Sequence, residues 1–108
     1  MAARTWTVPA TVVDVVDGDT IRLDLDLGWH IRYTARARIA AINAPEVRTL
    51  AGDAARAYAR TLLQPGDQVT FVSAKLDKYG RPLGRLLYGT AGRDFGADMV
   101  EHGHATAV

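Results

Sequence analysis

Cysteine is absent from the 108 residues, which excludes a disulfide framework and any thiolate metal site and leaves packing to supply stability. Glutamate is nearly absent as well, since ten of the twelve acidic residues are Asp and only Glu46 and Glu101 are Glu. Lysine is scarce: Arg provides eleven of the thirteen basic residues. The net charge of +1 does not indicate a globally basic nucleic-acid binder. No apolar run is long enough to span a bilayer as a helix, so a membrane partner is not expected. What is present, 48% apolar and 23% charged residues, is the make-up of an ordinary globular protein, and the length corresponds to one domain over residues 1–108.

The pattern along the chain reads as strands first. VPATVVDVV (residues 8–16) is rich in β-branched types, and Asp17-Gly18-Asp19 reads as a tight turn in which Gly supplies positive φ. Leu23, Leu25 and Leu27 alternate with Arg22, Asp24 and Asp26, the period of a half-buried strand. Gly28 marks a reversal, and a third strand is predicted over residues 31–42. Trp29 and His30 fall at that hairpin tip, where an exposed Trp could stack on a base, although packing beneath the hairpin is the expected use. Arg32, Arg36 and Arg38 alternate and share one strand face, a solvated surface or a seat for a phosphate.

Residues 51–63 are Ala-rich, with Ala54, Tyr58 and Leu62 at helical spacing, Asp53 at the start and Gln64-Pro65-Gly66 as the stop. Strands are predicted at 69–73 and 83–88 around a polar loop, Lys75 to Pro82. Asp94 is placed to cap a last helix carrying Phe95, Met99 and Val100, which Gly103 ends. The fold class is mainly β with helices (α+β), in the order βββ-α-ββ-α. A five-stranded barrel of the OB-fold kind suits it.

Three polar clusters lie at element ends: Asp17-Gly18-Asp19-Thr20, then Arg38 with Asn43 and Glu46, then Lys78-Tyr79-Gly80-Arg81. Singly, each reads as a turn, a loop start or an exposed hairpin. Jointly they contain what phosphodiester hydrolysis needs. Oxygen ligands for a hard cation come from Asp19 and the Asn43 amide. A carboxylate to take a proton from water is available in Glu46, and guanidiniums can clamp the developing charge. His102 and His104 form an H-x-H pair that is read as surface residues rather than ligands, and Tyr58 as core.

The stretches VVDGDTIRL, RIAAINAPE, GDAARAYARTLL, DKYGRPLGRLLY and MVEHGHA, in that order, resemble the thermonuclease (staphylococcal-nuclease-like) family, an OB-fold nuclease domain, over nearly the whole chain. The resemblance implies a calcium-dependent nuclease that hydrolyses DNA or RNA with little regard to base sequence. It implies Arg38, Glu46 and Arg81 as catalytic residues, with Glu46 the general base. Lys78 and Tyr79 would bind substrate, and Asp19, Asn43 and the Ala44 carbonyl would hold one calcium ion. Asn43 stands where the family normally has an Asp, so weakened calcium affinity is expected. The chain ends at Val108, before the third helix of the best-known member, and the tyrosines lining the far wall of that member's pocket have no counterpart.

The competing reading is a catalytically weak or inactive OB-type module that binds nucleic acid or protein. Asn43 favours it, while the complete Arg38, Glu46 and Arg81 set favours the enzyme. A monomer acting preferentially on single-stranded nucleic acid is expected. The opening MAARTWTVPA has no apolar h-region of a secretory signal, which favours a cytoplasmic or phage-encoded protein over a secreted one.

Overall fold

In the computed structural model, which describes residues 5–108, the β-branched run near the N-terminus forms a long strand, β1 (Trp6–Asp17). There follow β2 (Thr20–Gly28), β3 (Ile31–Ile39), the short β4 (Ile42–Asn43) and helix α1 (Leu50–Leu62). The chain continues through β5 (Gln68–Leu76), β6 (Pro82–Tyr88), β7 (Arg93–Asp94), helix α2 (Phe95–Glu101) and β8 (Thr106–Ala107). The first three strands form the expected antiparallel meander, and β1 is long and bulged enough to pair also with β5. β5 pairs with β6, and a parallel pairing of β3 with β6 at Arg38↔Leu83 and Ile39↔Gly84 closes the ring. This five-strand ring with a helix after its third strand is the OB-like, mainly β architecture expected from the sequence. No helix among the described residues is long and apolar enough to cross a membrane.

Inside the ring, the fully buried side chains include Val12, Ile21, Leu23, Ile39, Phe71 and Leu86, with Leu63 from the end of α1 and Phe95 and Met99 from α2. Burying each of the large ones contributes roughly 1.5–3 kcal/mol. The period-two pattern of β2 holds for Leu23 and Leu25 but not for Leu27, which is exposed where the strand leaves the ring.

Several local expectations are corrected. The third strand stops at Ile39 instead of residue 42, because Ala41 takes a positive φ of 65° and turns the chain before β4. Gly18 is not a positive-φ residue. Its lack of a side chain is needed sterically, since a Cβ there would lie 2.7 Å from Ala44 Cβ and 3.2 Å from Ala55 Cβ. Trp29 is 94% exposed rather than packed under its hairpin, and both it and His30 take positive φ in the turn.

Helix α1 is capped by Thr49, whose hydroxyl accepts from the Gly52 N–H at 2.9 Å, while Asp53 sits in the first turn. Its buried stripe is Gly52, Ala55 and Ala59, continued by Leu63 just beyond the helix, rather than Ala54, Tyr58 and Leu62. Small residues win the core-facing positions because the helix lies close against the barrel, and Tyr58 and Leu62 pack beside it, partly buried. Asp94 caps α2 as expected, accepting from the Ala97 N–H at 3.1 Å.

A buried carboxylate fastens α2 to the barrel. Arg93 donates to Asp98 through Nε at 2.9 Å and Nη2 at 2.6 Å, and the Tyr88 hydroxyl donates to the same carboxylate. The Arg93 bonds, opposed by burial and helped by Tyr88, hold the Asp98 carboxyl below its ordinary range. Burial, then the Asp98 carboxylate, pushes the Tyr88 phenol up to about 12. Because Asp98 is depressed when folded, its stabilisation is present above the unfolded value of about 3.9 and is lost as pH falls through the folded value. Asp98→Asn is expected to cost about 1.5–3 kcal/mol at neutral pH. In thermal melts, the gap between wild type and this variant should narrow below about pH 4.

Candidate active site

The turn between β1 and β2 is built to present one carboxylate. The Asp19 N–H donates to Asp17 Oδ1 at 3.0 Å, an Asx-type closure, and Asp19 Oδ1 accepts from the Thr20 hydroxyl at 3.1 Å. Asp19 Oδ2 accepts from the Ala44 N–H at 2.9 Å, which ties this turn to the segment after β4 across a separation of 25 residues. Burial, and then the adjacent Asp19 carboxyl, pushes the Asp17 carboxyl above its ordinary value. Sequence reasoning gave Asp17 no role beyond the turn.

Arg38, at the end of β3, is held on all sides by oxygen. Nη1 donates to the Ile39 carbonyl at 2.6 Å, and Nη2 to the Ile42 carbonyl at 2.8 Å and to Asn43 Oδ1 at 2.7 Å. Nη2 also lies 3.4 Å from Asp19 Oδ2, with only 17% of the Arg38 side chain and 14% of the Asp19 side chain exposed. One guanidinium therefore joins Asp19 and Asn43, the two side chains expected to ligate a metal. From the other side β8 pairs Thr106 with Asn43 and Ala107 with Ile42, so the C-terminal stretch straps down the Asn43 backbone. Nothing in the sequence pattern signals β8. The Arg row of β3 divides in the structure: Arg32 pairs with Asp24 at 2.8 Å on the solvent face, while Arg38 turns into the site.

The loop between β5 and β6 is shorter than expected, because the strands run to Leu76 and start at Pro82. Asp77 organises it. Its Oδ1 accepts the N–H groups of Tyr79 and Arg81, each at 2.9 Å, and its Oδ2 accepts from Arg81 Nε at 2.6 Å. Burial raises the Asp77 carboxyl, but the Arg81 and Tyr79 hydrogen bonds outweigh it and leave the pKa lowered. Arg81 is thus pinned by Nε, and its hydrogen bonds to the described residues leave the two terminal nitrogens unengaged. Lys78 Nζ and the Arg81 guanidinium lie 5.2 and 5.5 Å from the Tyr79 ring centroid. Asp77 is the brace of this loop that the sequence reading missed, although an Asp four residues before an Arg across a Gly-containing turn is a readable signal.

Arg38, Asn43, Asp77, Lys78, Tyr79 and Arg81 line one cavity of about 460 Å³. Asp19 and Glu46 lie outside that lining; Asp19 joins through Arg38 and Ala44. Ala44 is half-buried, and Glu46 is exposed at the approach to α1. The donors available to a metal, Asp19, Asn43 and the Ala44 carbonyl, are all oxygens, which fits a hard divalent cation. Among the described residues no three His, Cys, Asp or Glu side chains converge, so Asp19 would be the main charged ligand. His102 and His104 lie against Tyr58, with ring centroids 4.9 and 4.7 Å away, and the described residues form no metal group there.

Glu46 is positioned through its backbone. Its carbonyl accepts from the Thr49 hydroxyl at 2.7 Å, so the residue that caps α1 also fixes the Glu46 peptide. Gly52 makes this possible: a Cβ there would lie 1.6 Å from the Glu46 carbonyl oxygen. Gly52→Ala should therefore displace the Glu46 segment and destabilise the protein by about 1–3 kcal/mol. Shifted Glu46 and Val47 amide resonances and a lowered melting temperature would report it. Ala54→Gly, on the exposed face of the same helix, should cost only about 1 kcal/mol and leave those resonances in place.

The model of the staphylococcal nuclease homologue family matches residues 36–108, a span that takes in Arg38, Asn43, Ala44, Glu46, Lys78, Tyr79 and Arg81 and begins after Asp19. Among curated proteins, no relative matches the chain. Since the matched span covers well over half of the 108 residues and contains the closing strands of the ring, the chain belongs to the staphylococcal nuclease homologue family.

Proposed function

We propose that this chain is a metal-dependent nuclease, with calcium as its ion, that hydrolyses phosphodiester bonds of DNA or RNA with low sequence specificity. The observation that carries the reading is the shared cavity, where Arg38, Lys78, Tyr79 and Arg81 offer three cationic groups and an aromatic face around Asn43. Such a lining suits an anionic strand held by one phosphate, with a neighbouring base stacked on Tyr79. Asp19, Asn43 and the Ala44 carbonyl would hold one calcium ion, which when bound supplies polarisation of a phosphoryl oxygen and positioning of water. Glu46 accepts the proton of the attacking water. Arg81, held by Asp77 at Nε, turns its terminal nitrogens to the equatorial oxygens, and Arg38 supplies the second clamp. The protein works as a single-domain monomer.

A single strand suits the site better than a duplex, because an unstacked strand brings a phosphate to the cavity without distortion of a double helix. Asn43 keeps an oxygen ligand but removes a charge, which lowers calcium affinity. The second reading, an OB-type module that binds without cleaving, is favoured by one observation: the Asn43 amide and the Asp19 carboxylate already have Arg38 as a partner. Incubation of plasmid and single-stranded substrates with calcium, magnesium or chelator separates the two. The nuclease reading requires cleavage that chelator abolishes, whereas binding without cleavage in every ion supports the module.

Glu46→Gln should lower turnover about 10²–10⁴-fold. Arg81→Ala should lower it roughly 10³–10⁵-fold, by analogy with arginines that clamp phosphoryl transfer. Both should leave calcium binding within a few-fold of wild type, and near-normal turnover in both would refute the assignment. Asn43→Asp should tighten calcium binding by about tenfold or more in calorimetric titration, with activity gained only at limiting calcium.

A further inference from the structure

We propose that Arg22 and Arg36 form a second phosphate seat, on the outer face of β2 and β3, which holds the backbone of a nucleic-acid strand outside the cavity. The proposal rests on the nucleic-acid reading above and adds to it a path for the strand beyond the cleaved bond. Seven of the ten arginines among the described residues sit against an Asp, from Arg32 with Asp24 to Arg93 with Asp98. Arg22, Arg36 and Arg48 have no such partner among the described residues. Arg48 lies in the loop ahead of α1, but the other two stand directly opposite each other, in the antiparallel register Arg22↔Arg36. Like charges placed so across a strand pair destabilise a sheet. The acids nearest in register are engaged elsewhere. Asp14, across from Arg22 on β1, lies 3.8 Å from Arg60, and Asp24, the next residue on that face of β2, accepts from Arg32 at 2.8 Å.

The place of the pair gives it a use. Ile21, Leu23, Ala37 and Ile39 are buried in the ring, so strand alternation turns Arg22 and Arg36 outward, and both are exposed. Arg38 is the next residue on that face of β3, about 6.7 Å along the strand. It lines the cavity with Lys78, Tyr79 and Arg81. That step is comparable with the spacing of successive phosphates on an extended single strand. A strand with one phosphate in the cavity therefore brings another to Arg36 and Arg22. A phosphate between the two guanidiniums replaces their mutual repulsion with two charge-assisted contacts. Such contacts fix the strand without reading its bases, in keeping with low sequence specificity. Further along the same face Arg32 is taken up by Asp24 and Asp26, at 2.8 and 3.8 Å, so the open seat ends with the Arg22–Arg36 pair.

The test is the salt dependence of binding a labelled single-stranded oligothymidylate, read by fluorescence anisotropy in a Glu46→Gln parent that suppresses turnover. Each phosphate contact on a single strand contributes about 0.7 to the slope of log affinity against log salt. Arg22→Gln with Arg36→Gln should weaken binding and make the slope shallower by about 1.4. Arg32→Gln removes an equal charge from the same face and should leave the slope at the parent's value. With Glu46 restored, the double variant should raise KM for the oligothymidylate but not for a dinucleotide, whose one phosphate occupies the cavity alone. Arg36→Glu sets an acid opposite Arg22, and should melt no lower than the parent while losing oligonucleotide affinity. An unchanged slope in the double variant, beside clear binding by the parent, overturns the seat and leaves the proposed function standing. An equal effect of Arg32→Gln overturns it too, since general charge would then explain the result, and so does an equal rise in KM for the dinucleotide. A lower melting temperature in Arg36→Glu makes Arg36 a structural residue and overturns its assignment to the strand. If the parent itself binds no oligothymidylate, the seat and the nucleic-acid reading fail together.

Discussion

Two residue pairs of parallel strand, Arg38↔Leu83 and Ile39↔Gly84, close the barrel, and the candidate site exists because of them. They bring the end of β3, which carries Arg38, against the start of β6, which follows Arg81. The approach is tight. A Cβ on Gly84 would lie 2.2 Å from the Val72 carbonyl oxygen, so β6 can cross β5 here only with glycine. The Ala40 N–H then donates to the Gly84 carbonyl at 2.8 Å, which extends the join into the turn that delivers Asn43.

Around that closure two arginines are each tied to an aspartate, in opposite ways. Arg81 is held at Nε by a carboxylate that also braces the backbone of its own loop, so the end of the guanidinium faces the cavity. Arg38 is held at its terminal nitrogens by carbonyls, an amide and the Asp19 carboxylate. The first arrangement braces the side chain from its stem, and the second ties its end to the β1–β2 turn and the β4 segment.

The segment that carries Asn43, Ala44 and Glu46 has little regular structure of its own and borrows its shape from its neighbours. Asp19 holds the Ala44 N–H, β8 holds the Asn43 backbone, and Thr49 holds the Glu46 carbonyl. Two glycines make room for it, Gly18 beneath Ala44 and Gly52 beneath Glu46. The buried Asp98 carboxylate fastens α2 through Arg93 and Tyr88, and α2 in turn supplies Phe95 and Met99 to the core.

Sequence by itself determined the element order, the meander, the capping of α2 by Asp94 and the short stretches in which Asp19, Arg38, Asn43, Glu46, Lys78, Tyr79 and Arg81 occur. These are local matters of period, cap and turn, carried by residues within a few positions of each other. The helix face, the function of Gly18, the exposure of Trp29 and the β8 strap were decided by tertiary structure. Each depends on how closely a second element approaches, and one-dimensional spacing holds no distance. The partners of Arg38 belong to the same class. Asn43 stands five residues away and Asp19 nineteen, and only closure of the ring puts one guanidinium between an amide oxygen and a carboxylate.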